Sequence, residues 1–237
     1  MKKLICLFFM TIPVAAIAQK ALFLNEFNGV NNWFFSQSKI TVAQKYFYYA
    51  DSAMTHPADS SVIMITRNYT AIDYKGNGLE SFSDSGYMVK LNQAGGYMIV
   101  SKTAKIDSTQ LKAVFSQGFS GFTSFIKKVE PNGFIAWELS GGKAGITSAI
   151  LLLDLKAHQI KSLLVFMAAN HPLVRTLKKA GQATVPTVII KVDYEYLPDT
   201  GQNNSGTLSD FININAVNIA PSEKYKGYRI KLIPGKQ

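Results

Sequence analysis

The chain has 237 residues, is 47% hydrophobic and 17% charged, and carries a formal net charge of +10. That balance excludes an intrinsically disordered chain, and the length allows one domain with a full core, or at most two. The single cysteine, Cys6, sits in the N-terminal apolar segment, so the remainder has no disulfide framework, no thiolate chemistry and no cysteine-based metal site.

Met1-Lys2-Lys3 is a short basic start, and Leu4 to Ile17 is apolar apart from Thr11 and the Pro13 bend. Ala16-Ile17-Ala18 is a small-x-small signature before Gln19. Residues 1–18 therefore read as a secretory signal peptide, with residues 19–237 as a single domain. Taking that leader and its two lysines from 237 residues and +10 leaves 219 residues, a charge of +8 and no cysteine. The apolar segment is too short and wrongly flanked for a membrane span, and no later stretch reaches the roughly 18 to 20 apolar residues a span needs.

Leu22 to Ser36 is apolar and asparagine-rich without a clean period, and is expected to be an irregular arm. Ile40, Ala43, Phe47, Ala50 and Met54 recur at three- and four-residue steps, so Ser38 to Met54 is predicted to be a helix that stops before Pro57. Val62 to Tyr74 is β-branched and aromatic and reads as a long strand. Gly76-Asn77-Gly78 turns the chain into a return strand, Leu79 to Leu91, with a bulge expected at Ser85-Gly86. Tyr97 to Thr103 follows, and the three segments with short turns form an antiparallel meander.

Asp107 to Val129 returns to helical spacing, with Leu111, Val114, Phe115, Phe119, Phe122, Phe125, Ile126 and Val129 on one face. Gly118 and Gly121 weaken this helix by roughly 1 kcal/mol each. The second half is mostly strand. Phe134 to Leu139 is followed by a hairpin of Gly145 to Leu155 with Ile160 to Ala168. In Val185 to Leu197 the residues Val188, Ile190, Val192, Tyr194 and Tyr196 alternate with Lys191, Asp193 and Glu195, the pattern of a half-buried antiparallel strand. Phe211 to Ile214 and Tyr228 to Ile233 are short terminal strands. No repeat is visible, and the chain reads as one α+β domain.

Residues with catalytic potential do not converge. His56, His158 and His171 lack the spacing of a zinc site. Gly118-Phe119-Ser120-Gly121 lies in an apolar stretch and not at a strand-to-helix turn, so it is no nucleophile elbow. Asp51, Asp59, Asp73 and Asp84 include no pair that the spacing forces together for glycoside hydrolysis. Gly76-Asn77-Gly78 and Gly141-Gly142 lack the lysine-serine ending and the following helix of a phosphate loop. Lys127-Lys128, Arg175/Lys178/Lys179 and Lys224/Lys226/Arg229/Lys231 are basic clusters without a nucleic-acid motif, and they suit either an anionic surface or plain solubility.

The hairpin stands out. Ile146, Ala149, Ile150, Leu151, Leu152, Leu153 and Leu155, with Leu163 to Met167 opposite, make both of its faces apolar. One face of an antiparallel sheet usually meets water, so the second needs a cover. The cover is a set of helices and the N-terminal arm, an apolar ligand in a cavity, or a partner protein.

Ile150-Leu151-Leu152-Leu153-Asp154-Leu155-Lys156 through Ile160-Lys161-Ser162-Leu163-Leu164-Val165-Phe166 resembles the hairpin of the lipoprotein-carrier, or LolA-like, superfamily of Gram-negative envelopes. There an apolar strand ends at Asp, turns, and returns as Ile/Leu-Lys-x-Leu. The alternating strand Thr187 to Tyr196, a polar loop and the apolar segment Leu208 to Ile214 follow in the same order. The ending Lys224-Tyr225-Lys226-Gly227-Tyr228-Arg229-Ile230 is similar to divergent envelope members of unknown function. The resemblance runs over about residues 38 to 233, in pattern and order.

It implies a strongly curved antiparallel sheet, an unclosed barrel, with helices covering its concave face. Arg67 is the one arginine of the first long strand, where the carriers keep a functional arginine, and no role passes to it. The expected function is that of an exported, non-enzymatic envelope protein that binds a lipid or lipoprotein acyl chain as carrier or sensor. It would sit in the periplasm, at the outer membrane or outside the cell. Phe115, Phe119 and Phe122 are the candidate lining on one side, and Ile190, Val192 and Tyr194 on the other. No cofactor, metal or nucleic acid is expected. The partners would be a lipid or acylated protein, or an envelope protein. The alternative is a non-catalytic scaffold of an envelope assembly with a filled core.

Overall fold

The structure is a computed structural model. It describes residues 2–50, 53–69, 71–76, 78–84, 86–102, 117–142, 145–168, 170–172, 174, 187–199, 206–215 and 218–233, with side chains described from Ile17 onward. A helix, α1 (Lys2–Ser36), precedes β1 (Lys39–Tyr49), β2 (Asp59–Asn68), β3 (Ala71–Gly76), β4 (Leu79–Asp84), β5 (Tyr87–Asn92) and β6 (Tyr97–Lys102). Then come β7 (Ser124–Val129), β8 (Ile135–Ser140), β9 (Ile146–Asp154), β10 (Gln159–Ala168) and β11 (Thr187–Leu197). A single turn α2 (Leu208–Phe211), β12 (Ile212–Ile214), β13 (Ile219–Pro221) and β14 (Arg229–Ile233) complete the chain. Twelve strands hydrogen-bond in the order β14-β6-β5-β4-β3-β2-β1-β11-β10-β9-β8-β7, so the sheet ends on two edge strands, β14 and β7. The pairings from β2 to β6 and from β7 to β11 are antiparallel, and β14 runs parallel to β6.

Two compact units divide the chain: residues 1–35, 46–60 and 112–193 form the first, and residues 36–45, 61–111 and 194–237 the second. In the first, β7 to β10 and the start of β11 carry one apolar face, and α1 lies against it. Phe23, Phe27 and Val30 of α1 are buried with Phe125, Ile135, Trp137, Leu139, Ala149, Leu151 and Leu153. Trp137, Phe23 and Leu153 have no exposed surface. Burying side chains of this size contributes about 1.5–3 kcal/mol each, which is why a short apolar stripe suffices to hold the helix. In the second unit, β2 to β6 form the meander. One face packs Phe82, Val89, Leu91, Met98 and Val100 under Phe211, Ile212 and Tyr225. Phe82 stacks on Phe211 at 5.1 Å, and Phe211 on Tyr225 at 5.8 Å.

Several expectations are corrected. Ser38 to Met54 is not a helix: Lys39–Tyr49 is a strand. The apolar steps of three and four were accidental, while Ile40, Thr41, Val42, Tyr46, Phe47, Tyr48 and Tyr49 are the β-branched and aromatic residues a pleated surface selects. Leu22 to Ser36 is helical and not an irregular arm. Its asparagines and Gly29 lower intrinsic propensity, and the tertiary packing of Phe23, Phe27 and Val30, spaced four and three apart, overrides that. Of the expected helix Asp107 to Val129, residues 107–116 lie outside the described residues, and Ser124–Val129 is a strand. Val62 to Tyr74 is two strands meeting near Tyr69, whose φ of 52° marks a turn. Leu79 to Leu91 is likewise two strands and not one bulged strand, with Asp84 opposite Tyr87.

Candidate functional site

The register of the first unit places directly opposed residues on one face of the sheet. One row runs Phe125, Leu139, Ala149, Val165, Ile190. The next runs Lys127, Trp137, Leu151, Leu163, Val192. Apart from Lys127 on the edge strand β7, these rows make an apolar face about five strands, or roughly 19 Å, across. The cover at its β7–β9 end is aromatic. Phe23 meets Phe27, Phe119, Phe125 and Trp137 with ring centroids 5.2–5.8 Å apart, and Phe27 meets Phe119 edge-on at 4.8 Å. Edge-on and tilted contacts of this kind add to area burial.

One polar anchor fixes the helix. Trp137 Nε1–H donates to Glu26 Oε2 at 2.9 Å, and Lys127 Nζ donates to Glu26 Oε1. Lys127 Nζ also stands 5.9 Å from the Trp137 ring centre. A buried indole N–H thus has its acceptor, and the carboxylate that supplies it has a counter-charge. Asn31 is buried, and its Nδ2 has no hydrogen-bond partner among the described residues.

The expected lining residues divide. Phe122 is buried in the α1 cluster and Phe119 packs against it. Val192 is buried and sits opposite Leu163, which packs against the same cluster. Ile190 packs against a neighbouring group of Met167, Val174 and Val188. Tyr194 is half-buried and belongs to the second unit. Phe115 lies outside the described residues. Phe23, Phe27 and Trp137 were missed. The Phe23-x-x-x-Phe27-x-x-Val30 step was the available signal.

The other face of the hairpin is apolar as well, with Ile150, Leu152, Leu164 and Phe166 half-buried and Ile126 51% exposed. The need for two covers is therefore real, and α1 supplies one of them.

Catalytic candidates are dispersed. Asp51 lies outside the described residues, and Asp59 is exposed at the start of β2. Asp73 is buried and paired with Lys75 at 2.8 Å, and Lys75 also approaches Glu80 at 3.6 Å. Tyr225 donates its hydroxyl proton to Glu80 Oε2 at 3.1 Å. This network ties the chain after α2 to β3 and β4. His158 occupies the β9–β10 turn with φ of 53° and stacks on Trp33. Arg67 Nη1 donates to the Gln37 carbonyl, and burial lowers its pKa. Among the described residues no group of three or more His, Cys, Asp or Glu side chains is placed to hold a metal ion, and no helix is long and apolar enough to cross a membrane.

No family model and no curated protein matches the chain. Solved structures to which it is similar include an uncharacterized conserved protein from Thermus thermophilus, at 8% identity and a TM-score of 0.42, over 78% of this chain and 94% of that one. Another is a LolA superfamily protein from Nitrosomonas europaea, at 10% identity and a TM-score of 0.29, over 74% and 94%.

Proposed function

We propose that the protein is an exported, non-catalytic envelope protein that binds an acyl chain on the sheet face now covered by α1. The observation that carries this reading is the face itself. It is apolar across β7 to β11, and over β7 to β9 its cover is an N-terminal helix held by Phe23, Phe27, Val30 and one polar anchor at Glu26. A ligand that lifts the helix replaces one apolar contact by another. Each methylene it buries contributes about 0.8 kcal/mol, so a long chain needs no polar recognition. The covering residues all follow Ala18, so loss of a leader peptide leaves them in the chain. Phe119, Phe122, Ile190 and Val192 lie on or against this face and would line it. Phe115 and Tyr194 are retained as lining candidates from the sequence alone.

A second reading rests on the absence of exposed surface at Trp137, Phe23 and Leu153. On that reading the helix never leaves, and the domain is a scaffold in an envelope assembly. Native mass spectrometry of protein purified without detergent separates the two. Acyl-binding gives adducts of lipid mass that disappear on delipidation and return with a fatty acid. A scaffold gives bare protein throughout and a crosslinked envelope complex.

A further inference from the structure

We propose that the outward face of β5, β6 and β14 docks the protein onto an anionic lipid bilayer. This site is independent of the acyl-binding face and lies wholly in the second unit. β14 runs beside β6 with Arg229 opposite Tyr97 and Lys231 opposite Ile99, and Ile99 in turn opposes Lys90 on β5. Those residues share the face turned away from Val89, Leu91, Met98 and Val100. Alternate residues on a strand are about 6.6 Å apart, so Arg229 and Lys231 make a short cationic column. Lys90 stands two strands away. Tyr97, Ile99, Arg229, Ile230 and Lys231 line an open cleft of about 350 Å³.

Charge decides what this face can meet. Its outward residues on β3 to β6 and β14 are Ile72, Tyr74, Gly76, Leu79, Ser81, Ser83, Met88, Lys90, Asn92, Tyr97, Ile99, Ser101, Arg229, Lys231 and Ile233, with no Asp or Glu among them. The carboxylates of these strands, Asp73, Glu80 and Asp84, alternate to the opposite face. Elsewhere, Lys39, Lys45, Lys127, Lys128 and Lys191 are each paired with a carboxylate. Lys90, Arg229 and Lys231 are exposed, and none has such a pair among the described residues. Ile233, opposite Ser101 on the same face, ends the edge strand and is 43% exposed. Tyr97 lies between, its hydroxyl accepting from Asn92 Nδ2 at 3.1 Å. Unpaired cations, an amphipathic aromatic ring and an exposed aliphatic tip are the combination that suits head groups above an acyl boundary. A soluble acidic peptide would satisfy the cations and leave Ile233 in water.

The test is co-sedimentation of the full chain with phosphatidylcholine vesicles, with and without phosphatidylglycerol. The apolar N-terminal segment is present in every arm, so the readout is the difference that phosphatidylglycerol makes. Wild type is expected to gain binding with phosphatidylglycerol and to lose it as salt rises. Arg229→Gln with Lys231→Gln lowers net charge by two and should cut the phosphatidylglycerol-dependent partition on the order of thirtyfold. Lys156→Glu, at the exposed tip between β9 and β10, makes the same change in net charge and should leave most of the binding intact. If the double variant does not fold, Lys90→Gln should give about a fivefold loss. The proposal is overturned by binding indifferent to phosphatidylglycerol or to salt. Equal losses in Lys156→Glu and the β14 variant also overturn it, since overall charge would then explain the attraction.

Discussion

Glu26 accepts from both a buried indole and a lysine, and its removal orphans both. Glu26→Ala is expected to cost about 1–3 kcal/mol, the usual penalty for a buried donor left without an acceptor. Denaturant unfolding followed by tryptophan fluorescence reads this directly, and a midpoint equal to wild type would contradict the assigned anchor. Lys75 gives a different kind of prediction. Burial alone lowers its pKa, but the hydrogen bond and charge of Asp73 and the charge of Glu80 outweigh that and raise it above its ordinary 10.5. A raised cationic pKa means that the folded state holds the proton more tightly than the unfolded chain. The stabilisation is therefore complete below pH 10.5 and fades as pH climbs through the folded value. A Lys75→Met variant should lose this alkaline component, so its stability should fall less steeply above that pH in thermal melts. Part of this network was legible in the sequence. The turn signal in the sequence after Lys75 fits the register that sets Lys75 opposite Glu80. The partnership with Tyr225 was not, because 145 residues separate it from Glu80 and only tertiary packing joins them.

Strands were easier to read than helices. The β9–β10 hairpin and β11 were legible because β-branched and apolar residues ran between turn signals, and their pairing follows the expected antiparallel register. β1 and α1 each carry the sequence signal of a different element. In β1 the helical step of Ile40, Ala43 and Phe47 competed with strand propensity, and sheet pairing settled the competition. In α1 four asparagines and Gly29 hid a helix that its aromatic face stabilises. Phe23→Ala should accordingly cost about 3–5 kcal/mol, since it opens a cavity among rings with no exposed surface. The loop between β8 and β9 carries a second test. Gly141 has φ of +72°, and a Cβ there would collide with Thr123 Oγ1. Gly141→Ala should destabilise by more than about 1 kcal/mol, through both backbone strain and that clash. A neutral substitution in chemical denaturation would show that this turn is looser than the packing implies.

At the scale of the whole chain, the hydrophobic fraction has a location. Among the described residues it lies in three buried clusters, two in the first unit and one in the second, and in a hairpin that is apolar on both faces. Of the basic residues behind the net charge of +10, Lys39, Lys45, Lys127, Lys128 and Lys191 are paired with carboxylates, and Lys90, Arg229 and Lys231 on β5 and β14 have no such pair among the described residues. The period of the sequence brings Phe119, Phe122, Ile190 and Val192 to notice as proposed lining, whereas the helix α1 that packs beside Phe119 and Phe122 is hidden by its asparagines. An acyl chain bound on the face beneath α1 would be captured by photolabelling with a diazirine fatty acid. Label is expected on peptides carrying Phe119, Leu151, Leu163, Ile190 and Val192, competed away by unlabelled fatty acid. Stronger labelling is expected in Phe23→Ala, where the helix is held less tightly. Labelling confined to peptides outside this face, or no competable label at all, would rule out acyl binding there.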